Sequence, residues 1–316
     1  MAGEGVSLKT CKLCMLVNYC NADCQKNNWL KHKQACKLRA AELHDEALFK
    51  DPPAKEECPI CFLPMPRKII SCVSLPPATI MSIPIIDFAI ANLGLGPNGR
   101  EELVNMSTEV YYSCCGKYIC GGCVHSFESF GNDRKCPFCN SDQDNKTDEE
   151  RVEDIMKRVE SNDPTSICLL AQHYHHGTAG LQQNHSKAVE LYARAADLGS
   201  SKAHYNLGAY YHERGYSKKE KFHYEAAAMA GDEVARFNLG CTEKQSGNLE
   251  RAVKHCMIAA SAGQHTSMHN LQTLFEQGLV SRDTIDLTLT AYNNSCAAMR
   301  SEARDAFIRM TIDRTE

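Results

Sequence analysis

Cysteine spacing limits what this chain can fold into more than any other feature. Fourteen of its eighteen cysteines lie between Cys11 and Cys139, and three C-x-x-C pairs fall within 82 residues. Each pair places two thiols on one tight turn, and a tetrahedral zinc ion takes two such turns. The first residues of the sequence lack a basic patch followed by an apolar run, so we expect no secretory leader. In reducing surroundings, clustered cysteines are expected to bind metal rather than form disulfides.

Composition also argues against two kinds of partner. A net charge of −4 and a pI near 6.4 disfavour a protein that coats nucleic acid. The candidate membrane stretch, Leu75 to Leu95, contains three prolines and Asp87, which are unfavourable in a spanning helix. We therefore expect neither membrane insertion nor nucleic-acid binding, and a cytoplasmic or nuclear location.

The second half of the chain repeats itself. An alanine pair followed by glycine ends at Gly199, Gly231 and Gly263, two intervals of 32 residues. A period of this length with two helical segments is typical of a solenoid of helical hairpins. The alanines permit close helix approach, and each glycine suits the left-handed position that ends a helix.

These residues resemble Sel-one-like repeats, relatives of the tetratricopeptide repeat. The first helix of the motif matches Leu207-Gly208-Ala209-Tyr210-Tyr211, and the second matches Lys187-Ala188 through Gly199. The resemblance implies a curved scaffold that holds a protein substrate or peptide.

Ahead of the repeats, Thr147 and Glu150 have the spacing of a capping box, and Asp163-Pro164 suits a second helix start. The apolar residues of the first of these helices are expected to form one buried stripe: Val152, Ile155, Met156 and Val159.

The central cysteines resemble those of the RING finger, in which alternate ligand pairs share a zinc ion in a cross-brace. The resemblance implies a first site of Cys58, Cys61, Cys120 and Cys123, and a second that includes Cys115, Cys136 and Cys139. Lys117 stands where the family usually has a zinc-binding histidine. Cys114 or His125 is therefore the remaining ligand, and we favour Cys114 because it is adjacent. The apolar insertion between Cys61 and Cys114 is expected to pack partly on itself, with Cys72 as a buried thiol.

The amino-terminal cysteines resemble the later part of the MYND finger. In that family, Cys11, Cys14, His32 and Cys36 would share one zinc ion. His32 and Cys36 lie four residues apart, on one face of a helix. Cys20 and Cys24 would normally pair with two cysteines further upstream, which this sequence lacks. We therefore expect about three zinc ions per chain, with Cys20 and Cys24 as a half site.

Together these patterns predict a mixed fold of two small zinc modules followed by an all-α repeat solenoid. The expected divisions are a partial MYND-like finger (1–40), a helical linker (41–57), a RING-like finger (58–141), a linker with a capping helix (142–164), the repeats (165–300) and a tail (301–316).

The RING resemblance implies a ubiquitin ligase without a nucleophile of its own. Ile60, Pro137 and Phe138 correspond to the apolar patch that docks a ubiquitin-conjugating enzyme. Asn140 replaces the basic residue that often follows the last cysteine in active members. The alternative is a non-catalytic adaptor that gathers proteins on its zinc modules and repeats.

Overall fold

The computed structural model describes residues 9–13, 15, 18–19, 22–65, 109–131, 135–142 and 145–313. These residues belong to two compact units, 1–51 and 52–316. In the first unit, strands β1 (Lys9–Thr10) and β2 (Asn18–Tyr19) pair antiparallel, and helix α1 spans Ala22–Leu48. The expected boundary between residues 40 and 41 falls inside this helix. The predictions for four parts of the sequence lie outside the described residues: Cys14, Cys20, Cys72 and Leu75 to Leu95.

The second unit begins with a small module built around one hairpin. Strands β3 (Glu109–Tyr112) and β4 (Lys117–Cys120) pair antiparallel, and helix α2 (Gly121–Ser129) follows directly. Two cysteine turns flank these elements in sequence, at residues 58–65 and 135–142. Together with residues 109–131 they form what we call the central module. Its core joins buried cysteines to buried apolar side chains: Met65, Tyr112, Ile119 and Val124.

Ten helices follow the central module among the described residues. Helix α3 (Asp148–Glu160) precedes four hairpins, which we call the repeat array. The hairpins are α4 (Pro164–His176) with α5 (His185–Asp197), α6 (Ser201–Glu213) with α7 (Ser217–Met229), α8 (Glu233–Gln245) with α9 (Leu249–Ser261), and α10 (His265–Glu276) with α11 (Arg282–Ala298). Helix α12 (Glu302–Asp313) closes the chain, so the segment expected to be a tail is mostly helical. The predicted fold class, zinc modules followed by a helical-hairpin solenoid, is confirmed.

The repeated residues have the local roles that their spacing predicts. One alanine from each pair, Ala195, Ala227 and Ala259, is fully buried between helices. Gly199 has a φ of 89°, and Gly231 and Gly263 each have a φ of 90°. A side chain is strained in this left-handed conformation, so glycine ends each of these helices at little cost.

Helix α3 begins as predicted but buries less of its apolar stripe than expected. The Thr147 hydroxyl accepts a hydrogen bond from the Glu150 N–H, and the Glu150 carboxylate accepts one from the Thr147 N–H. Val152 and Ile155 are buried, whereas Met156 is 49% exposed. The expectation that Met156 belongs to the buried stripe is therefore wrong. The residue is apolar, but the part of the chain that the structure describes leaves it half exposed on this side of the helix.

The central module and the chain leading into it lie along the amino-terminal ends of three repeat helices. Tyr111 Oη is 2.7 Å from Ser166 Oγ near the start of α4. Lys202, the second residue of α6, donates to the Glu109 carboxylate at 3.0 Å and lies over the Tyr118 ring. The chain leading into the module reaches α8, where Lys55 and Glu233 form an ion pair at 3.4 Å. The module and the repeats thus share one packed unit.

Within the described residues, no helix is long and apolar enough to cross a lipid bilayer.

Candidate metal centres

Two clusters of four cysteines form inside the central module. Cys58, Cys61, Cys120 and Cys123 bring their sulfur atoms within 4.8 Å of one another. A second cluster within the same distance contains Cys114, Cys115, Cys136 and Cys139. The two clusters match the two ligand sets that the sequence predicts. His125, the alternative to Cys114, is in neither cluster.

Sulfur–sulfur distances test whether zinc fits these clusters. At a Zn–S bond length of ~2.3 Å, a regular tetrahedron has edges of ~3.8 Å. The Sγ atoms of Cys58 and Cys123, and those of Cys61 and Cys120, are 3.8 Å apart. Cys136 and Cys115 are separated by 3.7 Å in the second cluster. A disulfide needs ~2.05 Å, so these separations suit a shared ion rather than a covalent bond.

Two of the thiols have a lowered pKa, which favours their thiolate form. Burial raises the pKa of Cys58, but hydrogen bonds from nearby peptide N–H groups outweigh it and lower the pKa to about 7. The amide of Cys120 is one such donor, 3.5 Å from the Cys58 sulfur. The Ser141 hydroxyl, 3.2 Å from Cys139, is the main cause that lowers the pKa of Cys139 to about 6. Zinc binds thiolates, so these two shifts favour metal binding. Burial raises the pKa of the other four shifted thiols of the two clusters, which must each lose a proton to bind zinc: Cys114, Cys115, Cys120 and Cys123.

The first and last cysteine pairs lie on turns of the same shape. The Phe62 N–H donates to the Cys58 carbonyl at 2.8 Å, and the Asn140 N–H donates to the Cys136 carbonyl at 2.8 Å. Phe62 and Asn140 both have a φ of 57°. Asparagine tolerates this left-handed conformation well, whereas phenylalanine rarely adopts it. Phe62 is also 70% exposed, and the sequence interpretation did not include it.

The predicted docking residues lie on these two turns. Ile60, inside the first turn, is 40% exposed. Pro137 and Phe138, inside the last turn, are half-buried. The ammonium of Lys117 lies 4.4 Å from the centre of the Phe138 ring, a cation–π arrangement. Lys117 thus contacts an aromatic side chain and is not a member of either cysteine cluster.

The amino-terminal unit holds a third cluster. Cys11, His32 and Cys36 bring their ligand atoms within 4.8 Å of one another, and the two sulfur atoms are 3.7 Å apart. Helix α1 carries both His32 and Cys36, and the Trp29 ring packs edge-on against the His32 imidazole. The predicted fourth ligand, Cys14, lies outside the described residues. Of the half site, Cys20 also lies outside them, and only the backbone of Cys24, within α1, is described.

Two arginines at these sites were not predicted from the sequence. Arg304 from α12 reaches the turn that carries Cys61, and Arg158 from α3 reaches the chain at Cys114. No local sequence pattern distinguishes either arginine from the others in the chain. Only the packing of the helices against the module brings these side chains to the cysteines.

The fold and its clusters define a zinc-finger protein with a helical repeat array. Residues 2–36 match the family model of the MYND finger, and residues 164–200 and 201–232 match that of the Sel1 repeat. With the three clusters, these matches confirm zinc as a cofactor of the chain. Individual ligands and a count of three ions stay predictions. A zinc finger combined with Sel1 repeats is an architecture of protein–protein interaction.

Similar proteins match parts of this chain. A SET and MYND domain-containing protein of Dictyostelium discoideum is 54% identical over 35 residues, which are 11% of this chain and 6% of that protein. A Sel1 repeat protein from Oxalobacter formigenes is 20% identical with a TM-score of 0.43, covering 56% of this chain and 71% of that one. The antigen c5321 of uropathogenic Escherichia coli, with an SLR fold, is 20% identical with a TM-score of 0.39, covering 73% and 51%.

Proposed function

We propose that this protein is a RING-type ubiquitin ligase whose central module docks a ubiquitin-conjugating enzyme. The observation that supports this most is the alternation of the cysteine pairs. In chain order, the first and third pairs gather in one cluster, and the second and fourth gather in the other. A hairpin and a short helix lie between the two outer turns. This arrangement agrees with the cross-brace that the resemblance implies.

A ligase of this kind needs no nucleophile of its own. It holds the conjugating enzyme with its thioester-linked ubiquitin so that a substrate lysine can attack, and its contribution is positioning. Two exposed apolar side chains on the first turn support docking by this module. Ile60 matches the family position, and Phe62 adds a larger side chain on the same turn. Exposed apolar side chains held on a metal-fixed turn suit a flat apolar partner surface.

The repeat array is proposed to bind the protein substrate or a peptide from it. The central module already covers the amino-terminal ends of α4 and α6, and the chain leading into it covers that of α8. The partner is proposed to bind helix faces away from these contacts. The expected location in cytoplasm or nucleus stays a prediction.

A non-catalytic adaptor is the second candidate, and two residues favour it. Lys117 places a positive charge 4.4 Å from the Phe138 ring, on one of the residues proposed to dock the conjugating enzyme. Asn140 also lacks the charge that often contacts ubiquitin at this position. In this alternative, the same module binds a partner without ubiquitin transfer.

Reconstituted ubiquitin transfer separates the two candidates. The purified full chain is incubated with activating enzyme, a panel of conjugating enzymes, ubiquitin and ATP. The ligase proposal predicts chain formation with at least one conjugating enzyme and its loss in Ile60→Ala. Phe130→Ala is the matched control, since Phe130 is 84% exposed but lies at the far end of α2. If no conjugating enzyme gives chains and none binds the wild-type protein, the ligase proposal is wrong and the adaptor remains.

A further inference from the structure

Helix α12 packs on the central module where two glycines separate two cysteines of the first cluster. Gly121 and Gly122 follow Cys120 and begin α2, and neither has a positive φ. A Cβ atom at Gly122 would lie 2.6 Å from the Arg304 backbone nitrogen. A Cβ atom at Gly121 would lie 2.3 Å from the Phe307 ring. These glycines therefore serve close approach of α12, not a backbone turn.

Arg304 uses this close approach to reach the first cysteine turn. Its guanidinium donates to the Pro64 carbonyl at 2.7 Å and the Leu63 carbonyl at 3.2 Å. A further hydrogen bond goes to the Cys61 sulfur at 3.5 Å. The residue is 3% exposed, so water does not compete for these contacts. A residue near the end of the chain thus holds a turn that lies 240 residues earlier.

The second cluster has a matching arginine from the other end of the repeat array. Arg158 of α3 donates to the Ser113 carbonyl at 2.7 Å and to the Cys114 carbonyl at 2.6 Å. Gly116 leaves room for this side chain, because a Cβ atom there would lie 2.6 Å from the Arg158 guanidinium. The segments that carry each cysteine cluster of the module therefore accept hydrogen bonds from one arginine, which lies on a helix that flanks the repeats.

We infer that Arg158 and Arg304 are positioning residues for the two central zinc sites, so that zinc retention depends on helices α3 and α12. Four thiolates around a divalent ion leave a net negative charge, which a nearby guanidinium stabilises. Hydrogen bonds to the turns also hold the thiols at the spacing that a tetrahedral ion needs. Loss of such supporting contacts typically weakens metal binding ~10–100-fold. The coupling applies equally to a ligase and to an adaptor.

Zinc release from the full-length protein tests this inference. Zinc-loaded protein is mixed with excess chromogenic chelator, and the release of each equivalent is followed in time. Arg304→Ala and Gly122→Ala should speed release of one equivalent by about tenfold. Arg158→Ala should speed a different equivalent by a similar factor. Arg300→Ala is the matched control, because this arginine is 49% exposed and forms an ion pair at 3.0 Å with Asp305 of α12.

Gly122→Ala is the most informative variant. It changes no ligand and no arginine, and alanine favours a helix more than glycine does. Faster release in this variant therefore reports displacement of α12. If circular dichroism shows that a variant has lost its helices, Arg304→Lys replaces it, since lysine keeps the charge but not the forked donors. Release at the wild-type rate in Gly122→Ala and in the folded arginine variant would overturn the inference.

Discussion

Gly208 and Gly240 occupy equivalent positions in successive repeats, and their environments predict different responses to alanine. A Cβ atom at Gly208 would lie 2.5 Å from the Tyr224 ring, which is 3% exposed. At Gly240 the nearest atom would be the Cys256 sulfur, at 3.1 Å. Alanine gains ~1 kcal/mol of helix propensity over glycine. Overpacking a core costs ~1–3 kcal/mol, and the rigid ring favours the upper end.

We therefore expect Gly208→Ala to lower the free energy of unfolding by about 2 kcal/mol, and Gly240→Ala to leave it nearly unchanged. Denaturant titration followed by far-UV circular dichroism, at a fixed zinc concentration, measures both. In a Tyr224→Leu background, Gly208→Ala should no longer lower the free energy of unfolding, because the ring that the added methyl group meets is absent. Equal losses at the two glycines, or no loss at Gly208, would refute the reasoning.

Three further predictions concern the metal, pH and a helix cap. Elemental analysis of the purified chain should give three zinc ions, whereas two would mean that one cluster does not bind metal. Burial and the nearby Arg236 lower the pKa of His255 to about 3, so the folded state resists protonation. Stability should then fall as the pH drops from ~6.5, by up to ~1.4 kcal/mol per pH unit, and less steeply in His255→Leu. Thr147→Ala should cost ~1 kcal/mol in thermal unfolding, while Thr147→Ser should not.

The parts of the fold that sequence reasoning predicted depend on residues close together in the chain. Helix-ending glycines follow from the 32-residue period, and the capping box at Thr147 is a contact over three residues. The cysteine pairs likewise place two thiols on one turn each. Their partners across the module were predicted from a family resemblance, and the structure gathers the same side chains. Cys114 stands next to Cys115 and belongs to the second cluster, whereas His125 belongs to neither cluster.

Tertiary packing determines side-chain exposure and long-range contacts that no local sequence pattern indicates. Met156 is an apolar residue, but the exposed fraction of its side chain depends on whether another element packs against that side of the helix. Arg304 and Cys61 are 243 residues apart, and their hydrogen bond exists only because α12 packs against two glycines of α2. Spacing along the chain reports hydrogen bonds within one turn or helix, since those are set by backbone geometry. Contacts between distant surfaces depend on shape and charge that fit only after the helices have packed, so they become visible only in the folded structure.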